Sequence, residues 1–182
     1  TITPPRWHGP FWNSALAIGH CEGSGLTASK SITDFLAREC ADYSVIPHPH
    51  SESSDTTAEA AHVSGEKLAK GILLKDNRGY VLAVIPASHS METGTLGQKI
   101  QRPLVMASET EIARVFADCE VGAIPVLGNA YGLTTVVDDA LCSLKEIYFE
   151  AGDHEALIKI DGEDFQRFMG DATFANFSHH KG

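Results

Sequence analysis

Apolar and polar positions alternate over short stretches of this chain, which is the pattern of half-buried β-strands. Such alternation, or a short apolar run, predicts strands at 43–46, 70–74, 80–85, 104–106, 133–137, 147–149 and 157–160. The turn 76–79 has glycine as its last residue, which predicts a tight hairpin between the second and third strands. Pro47 and Pro86 end two of the strands, because proline cannot donate to a ladder of backbone hydrogen bonds.

Short helices separate these strands. Helical spacing of apolar residues predicts helices at 31–36, 55–62, 96–100 and 109–116, and another that ends at Met169. Ser31 or Thr33 is expected to cap the first helix, and Ser108 forms a capping-box pattern with Glu111. Helices this short do not suit repeated βαβ crossovers. The sequence therefore predicts an α+β domain with a partly closed, barrel-like mixed β-sheet surrounded by short helices.

Length and composition indicate one globular domain. The chain has 182 residues, of which 43% are hydrophobic and 21% charged, enough for a substantial core. Residues 1–30 are rich in Pro, Gly, Ser and His and predict an irregular N-terminal extension, whose aromatic side chains could dock on the domain 31–182 or on a second copy. The first residues lack the pattern of a signal peptide, and no apolar run has membrane-spanning length. Because the first residue is not methionine, the chain could be part of a longer, multidomain protein.

The charge and the cysteine content of the chain argue against several classes of protein. The formal net charge of −10 opposes non-specific binding to nucleic acid, but it permits local recognition of an RNA end. The four cysteines are far apart and form no CxxC motif, which argues against a zinc knuckle and against a compact disulfide framework. Reduced thiols and a cytoplasmic location are therefore expected.

One lysine and one glycine-bounded loop are the strongest candidates for chemistry. On a strand, Lys70 shares a face with Ile72 and Leu74, and a cation there is costly to bury unless an anionic or polar group is near. The loop 122–128 has glycine at both ends, so its backbone can approach a ligand closely. Together they could hold an oxyanion, an ester carbonyl or a phosphate, with the Lys70 ammonium near the loop. The alternative is a surface lysine and an ordinary turn.

Two histidine-containing segments are weaker candidates. His48 and His50 would point the same way on an extended strand and could be metal ligands, but no third ligand has a convincing spacing. The run Asp153, His154 and Glu155 contains two of the three residue types of a catalytic triad, but neighbouring residues do not face one another. A turn before the strand at 157–160 is the better interpretation of that run.

The order of the motifs resembles the YbaK and prolyl-tRNA synthetase editing-domain family of aminoacyl-tRNA deacylases. The resemblance covers residues 43–169 and is carried by the stretches 57–61, 67–75, 80–86 and 122–128, with 136–141 continuing the pattern. Each motif alone is moderately specific, and their order and spacing together make the assignment. This chain departs from the family at one position: the usual proline site holds Val126, and proline comes one residue earlier, as Pro125.

The resemblance implies hydrolysis of the ester of mischarged tRNA with small aminoacyl groups, a trans-editing reaction of a carboxylic ester hydrolase. It implies the aminoacylated acceptor end of tRNA as partner and no cofactor or metal. A catalytically silent ligand-binding or signalling module on the same fold is the alternative function. Lys70 and Gly122 are the predicted catalytic residues. The predicted substrate-binding residues are Ala123, Ile124, Pro125 and Gly128, together with His48, whose segment leads towards the expected cleft.

Overall fold

The computed structural model describes residues 28–51 and 53–181. Within them the helices are α1 (Lys30–Arg38), α2 (Ser54–Ala60), α3 (Thr93–Ile100), α4 (Glu109–Val115) and α5 (Gly162–Met169). The strands are β1 (Tyr43–Pro47), β2 (Leu68–Asp76), β3 (Gly79–Pro86), β4 (His89–Met91), β5 (Val105–Met106), β6 (Thr134–Asp138), β7 (Glu146–Glu150), β8 (Ala156–Asp161), β9 (Thr173–Ala175) and β10 (Ser178–His180). The predicted extension lies almost wholly outside the described residues.

The strands form one large mixed sheet and one small ribbon. The large sheet has eight strands in the order β1-β8-β7-β2-β3-β6-β9, with β5 paired to β2, and β4 pairs with β10 in the ribbon. The predicted mixed sheet with short helices around it is confirmed, and the sheet is open, with β1 and β9 at its two edges. In the described part of the chain no helix has the length and apolarity needed to cross a membrane.

The predicted hairpin forms the centre of the sheet. β2 and β3 pair antiparallel, from Ala69 opposite Pro86 to Asp76 opposite Gly79. Residues 81–87 on and after β3 are all buried, because the strand packs on both faces. Leu82 and Val84 belong to the larger core with α1 and α5, and the alternate positions Val81, Ala83 and Ile85 belong to a second core with α3. This two-sided burial holds the strands beside the site rigidly in place.

The caps agree in part with the sequence. Ser108 and Glu111 form the expected capping box at α4. The prediction for α1 is wrong, because Ser29, and not Ser31 or Thr33, caps this helix. The backbone N–H of Ser29 also donates to the Ala151 carbonyl, 2.8 Å away, just beyond β7. The sequence could not show this contact, since it joins residues that are distant in the chain.

The parallel pairing of β2 with β7 positions the site. Ala69 lies opposite Phe149 in this register, and Lys70 and Glu150 are the next residues on the two strands. Among the described residues the acidic group that acts electrostatically on Lys70 is Asp55, and no ion pair joins Lys70 to Glu150.

Candidate functional site

A cavity of about 150 Å³ lies where β2, the end of β7 and the glycine-bounded loop meet. It contains the Lys70 and Glu150 side chains next to the backbone of the loop. The residues that line it are Ser53, Ser54, Lys70, Gly71, Gly122, Ile124, Glu150 and His154. Three of the residues predicted from sequence, Lys70, Gly122 and Ile124, are thus brought to one place.

Lys70 is half-buried at this cavity and is held by backbone oxygens. Its ammonium donates to the carbonyls of Ala87, at 3.2 Å, and His89, at 2.7 Å, just after β3. The sequence predicted that this ammonium lies near the loop. In the structure its hydrogen bonds go to the residues that follow β3. Burial, with a smaller effect from the nearby Lys181 ammonium, lowers the pKa of Lys70 to about 8. Lys70 is therefore still largely protonated at neutral pH.

A glycine in β2 lets the loop pack directly on the strand. A Cβ atom at Gly71 would lie 2.8 Å from Ile124 Cγ2 and 3.2 Å from the Pro125 carbonyl oxygen, so a side chain at this position would push the loop away. Gly122 has a φ of +96°, a conformation that glycine adopts without strain. Gly71 was not singled out from the sequence, although a glycine inside a strand is a signal of close backbone approach.

Some N–H groups of the loop donate to backbone carbonyls within the loop or just before it. The Ala123 N–H donates to the Glu120 carbonyl at 3.1 Å, and the Ile124 N–H donates to the Gly122 carbonyl at 2.9 Å. The N–H groups of Gly122, Val126 and Leu127 donate to no other described residue, and of these three residues Gly122 lines the cavity.

The other predicted loop residues lie beneath the cavity. Ala123, Pro125 and Gly128 are buried and are not among the lining residues. A Cβ atom at Gly128 would overlap the Thr135 hydroxyl, so packing against β6 accounts for this glycine. Their predicted contact with substrate stays a prediction.

Glu150 is the most unusual group at the cavity. It is the last residue of β7, and it is only 9% exposed. Oε1 accepts a hydrogen bond from the Thr57 hydroxyl at 3.0 Å, and Oε2 is buried with no partner among the described residues. Burial raises the pKa of this carboxyl above its ordinary value, against the opposing effects of the Thr57 hydroxyl and of His154 and His48 nearby.

Each of two histidines near Glu150 has one ring nitrogen without a hydrogen-bond partner in the described structure. His48 Nδ1 lies 2.8 Å from the Pro49 carbonyl oxygen, and His154 Nε2 lies 3.0 Å from the Val121 carbonyl oxygen. A carbonyl only accepts, so these ring nitrogens carry the hydrogen, and in a neutral ring the opposite nitrogen is an acceptor. Those opposite atoms, His48 Nε2 and His154 Nδ1, are buried without a partner in the described structure.

The histidine segments differ from what their spacing suggested. His48 is buried and His50 is half-exposed, because β1 ends at Pro47 and the two rings do not share a strand face. The extended strand on which the two rings would point the same way therefore ends before His48. Within residues 28–51 and 53–181, no group of three or more His, Cys, Asp or Glu side chains is arranged to hold a metal ion.

His154 was missed as a site residue. It does lie in the expected turn before β8, where the Asp153 carboxylate accepts hydrogen bonds from the Glu155 and Ala156 N–H groups, each at 3.0 Å. Its φ of +57° is uncommon for a residue with a side chain, and it directs the ring towards Gly122. Strain held at a cavity wall is a signal of function that only the structure provides.

A second, wider cavity of about 580 Å³ opens beside the first and shares Gly122 and His154 with it. Its other walls include the half-exposed His50 ring and the exposed Val121 side chain. Pockets that hold drug-sized ligands span roughly 300–1,000 Å³, so the wider cavity can take a group that the smaller one cannot.

Comparisons with known proteins identify the fold and the family. The aminoacyl-tRNA editing domain family matches residues 48–168. A solved structure of a proposed trans-editing enzyme for prolyl-tRNA synthetase is 18% identical, with a TM-score of 0.74, and the match covers 87% of this chain and 100% of that one. A hypothetical protein of known structure is 20% identical, with a TM-score of 0.73 over 82% of this chain and 100% of the other.

A third solved structure is a proposed signal transduction protein from Marinobacter aquaeolei VT8. It is 21% identical, with a TM-score of 0.66, and the match covers 81% of this chain but only 30% of that one. The fold therefore also occurs within a longer chain. No curated protein matches the sequence.

Proposed function

The chain belongs to the aminoacyl-tRNA editing domain family, and from this premise we propose that it hydrolyses the ester of mischarged tRNA carrying a small aminoacyl group. The observation that supports this most directly is the meeting of Lys70, Gly122 and Glu150 around a cavity of about 150 Å³. A cavity of that volume holds a group about the size of benzene. It suits the aminoacyl parts of alanine, serine, cysteine or proline better than those of leucine or phenylalanine.

The wider neighbouring cavity supports the same assignment. An aminoacyl-tRNA ends in a nucleoside that is joined to the aminoacyl group through one ester bond. Gly122 and His154 border both cavities, so an ester positioned beside them can place the aminoacyl group in the smaller cavity and the terminal nucleoside in the larger.

The chemistry proposed at this junction is direct hydrolysis. Water attacks the carbonyl carbon, an oxyanion develops, and the bond to the ribose oxygen breaks as that oxygen gains a proton. The Lys70 ammonium and the Gly122 N–H are the cavity groups that can stabilise the oxyanion. The bare Nδ1 of His154 is an acceptor suited to orienting the water and receiving its proton. No covalent intermediate on the protein and no cofactor is required.

The proposed partner is the acceptor end of the tRNA and not its whole surface. A formal net charge of −10 disfavours extended contact with a polyanion, so binding should be local and should depend on the terminal nucleotides. The proposed location is the cytoplasm, where tRNA is charged.

A deacylation panel tests the proposal. Purified protein is incubated with tRNAs charged with Ala, Ser, Cys, Pro, Leu and Phe, and the remaining ester is measured over time. We expect faster loss of the small aminoacyl groups than of Leu or Phe, and rates that survive a metal chelator. Lys70→Ala should lower the rate by about 100-fold or more, as loss of a charge-stabilising donor does. Lys75→Ala, on the same strand but paired with Glu111, is the matched control and should change the rate little.

Different failures have different meanings. Unchanged turnover in Lys70→Ala contradicts the role of that lysine. Preference for bulky esters contradicts the size argument, and activity lost on chelation and restored by zinc contradicts metal-free hydrolysis. If no charged tRNA is hydrolysed, the alternative of a silent binding module on this fold is favoured.

A further inference from the structure

Two residues that line the small cavity, Glu150 and His154, and the nearby His48 have buried hydrogen-bond acceptors that the described structure does not satisfy. Glu150 Oε2, His48 Nε2 and His154 Nδ1 are all buried without a partner in the described structure. Both imidazoles are close enough to influence the Glu150 carboxyl electrostatically. Buried polar groups are normally paired, so these neighbouring unpaired acceptors indicate a site for a ligand that donates hydrogen bonds.

The donors already present do not meet this need. The Thr57 hydroxyl has a single proton and two acceptors within reach, Glu150 Oε1 at 3.0 Å and the Ser53 carbonyl oxygen at 2.9 Å. The Ser51 hydroxyl lies 2.8 Å from the Thr57 hydroxyl and 3.5 Å from His48 Nδ1, and it makes no hydrogen bond to Glu150 in the described structure. The Lys70 ammonium is directed to the Ala87 and His89 carbonyls, and no ion pair joins it to Glu150 within residues 28–51 and 53–181.

The group that suits these acceptors has a positive charge and several N–H donors on a small body. An ammonium has three donors, no acceptor and a full charge, whereas water supplies two donors and no charge. We propose that Glu150 binds the α-ammonium of the aminoacyl group, so that the site selects esters with a free α-amino group. This inference rests on the proposed function, since it assigns one contact of the same substrate.

The geometry supports a role in selection and not only in affinity. Glu150 and Lys70 directly follow the last paired residues of two adjacent strands, and both line the same cavity. An α-ammonium on Glu150 therefore leaves the ester carbonyl, two bonds away, on the side of Lys70 and Gly122. An ester whose α-substituent is an uncharged hydroxyl would leave the carboxylate buried without its partner, which is the arrangement that discriminates most strongly between analogues.

A pair of ligands of equal size separates charge recognition from fit. The probes are 3′-deoxy-3′-(L-alanylamino)adenosine and its L-lactyl counterpart. In both probes an amide replaces the labile ester, and in the lactyl probe a hydroxyl replaces the α-ammonium. Their dissociation constants are measured by calorimetry at pH 7. We expect the alanyl probe to bind wild type at least tenfold more tightly than the lactyl probe. Glu150→Gln should reduce this ratio to within about twofold, mainly by weakening the alanyl probe.

Controls make the outcome decisive. Glu146→Gln, on the same strand but at the surface, should keep the wild-type ratio. Glu150→Asp should keep part of it, because it retains the charge on a shorter side chain. Circular dichroism establishes that each variant is folded, and the wild-type ratio needs no variant at all. Equal affinity of wild type for the two probes, an unchanged ratio in Glu150→Gln, or no binding of the alanyl probe overturns the inference.

The experiment is independent of the deacylation assay. Because the amide probes are not hydrolysed, a protein with no esterase activity can still show the preference for the ammonium. In that case the inference holds and the proposed reaction fails. If esters are hydrolysed and the alanyl and lactyl probes bind equally, the reaction holds and the inference fails.

Discussion

Two glutamates on β7, four positions apart, have opposite environments. Glu146 begins the strand at the surface and accepts from Lys67 at 2.8 Å and Lys159 at 2.7 Å, and these bonds lower its pKa to about 2. Glu150 ends the strand in the cavity, with one orphaned oxygen and a raised pKa. Glu146 therefore has its ion-pair partners within the protein. The unpaired one costs stability in the free protein, which is the expected mark of a binding group.

The largest expected effect on stability comes from removing the Thr57 hydroxyl, the side-chain donor to Glu150 in the described part of the chain. Thr57→Val keeps the shape of a fully buried side chain but deletes its hydroxyl, which leaves a buried carboxylate less satisfied. We expect the free energy of unfolding to fall by about 1–3 kcal/mol. Urea unfolding at pH 7 measures it, with Thr134→Val, an exposed strand position, as the control. A loss no larger than in the control would mean that Thr57 does not support Glu150.

Much of the fold could be predicted because its signals are local. Short apolar stretches identified the strands of the central hairpin, and Gly79 marked its turn. The pairing of Lys70 with the glycine-bounded loop also followed from short motifs. Glu150 could not be found in this way, because its neighbour Lys70 comes from a parallel pairing between strands 80 residues apart in the chain. In the sequence, a glutamate that ends an apolar strand has the pattern of a surface position.

The loop shows the same limit at the level of the backbone. Its glycines predicted a close approach, and the structure places Gly122 at the cavity. The sequence did not show that the Ala123 and Ile124 N–H groups are used inside the loop, nor that Gly71 provides the space for Ile124. Which backbone donors remain free depends on the folded loop and not on its composition.

An intermediate effect, with the opposite sign, is expected for Glu150 itself. Glu150→Gln retains an acceptor for Thr57 and removes the charge, so we expect the free energy of unfolding at pH 7 to rise, by on the order of 1 kcal/mol. A raised folded-state pKa means that the folded protein holds a proton which the unfolded chain releases near pH 4.5. Stability from this group is therefore lost as pH rises through the folded pKa.

The pH dependence sharpens the comparison. The difference between Glu150→Gln and wild type should be small at pH 4 and should grow towards pH 7, as measured by urea unfolding at several pH values. A destabilised Glu150→Gln protein at pH 7 would mean that the carboxylate is held by partners in the free state. Glu150 would then be structural, and the contrast with Glu146 would fail.

The smallest effect on stability is expected at Glu146. Its dependence on pH should be opposite to that of Glu150, and salt should weaken it. Glu146→Gln removes two surface ion pairs, which usually contribute little, so the melting temperature should fall slightly at low salt and the change should shrink in 1 M NaCl. Because the folded pKa lies below the ordinary 4.5, the contribution of Glu146 is present above pH 4.5 and is lost as pH falls towards 2. Thermal melts of wild type and Glu146→Gln at pH 7 and pH 3, each with and without salt, measure this. A salt-independent loss, or a gain in stability like that expected for Glu150→Gln, would show that the two ends of β7 do not differ as their contacts indicate.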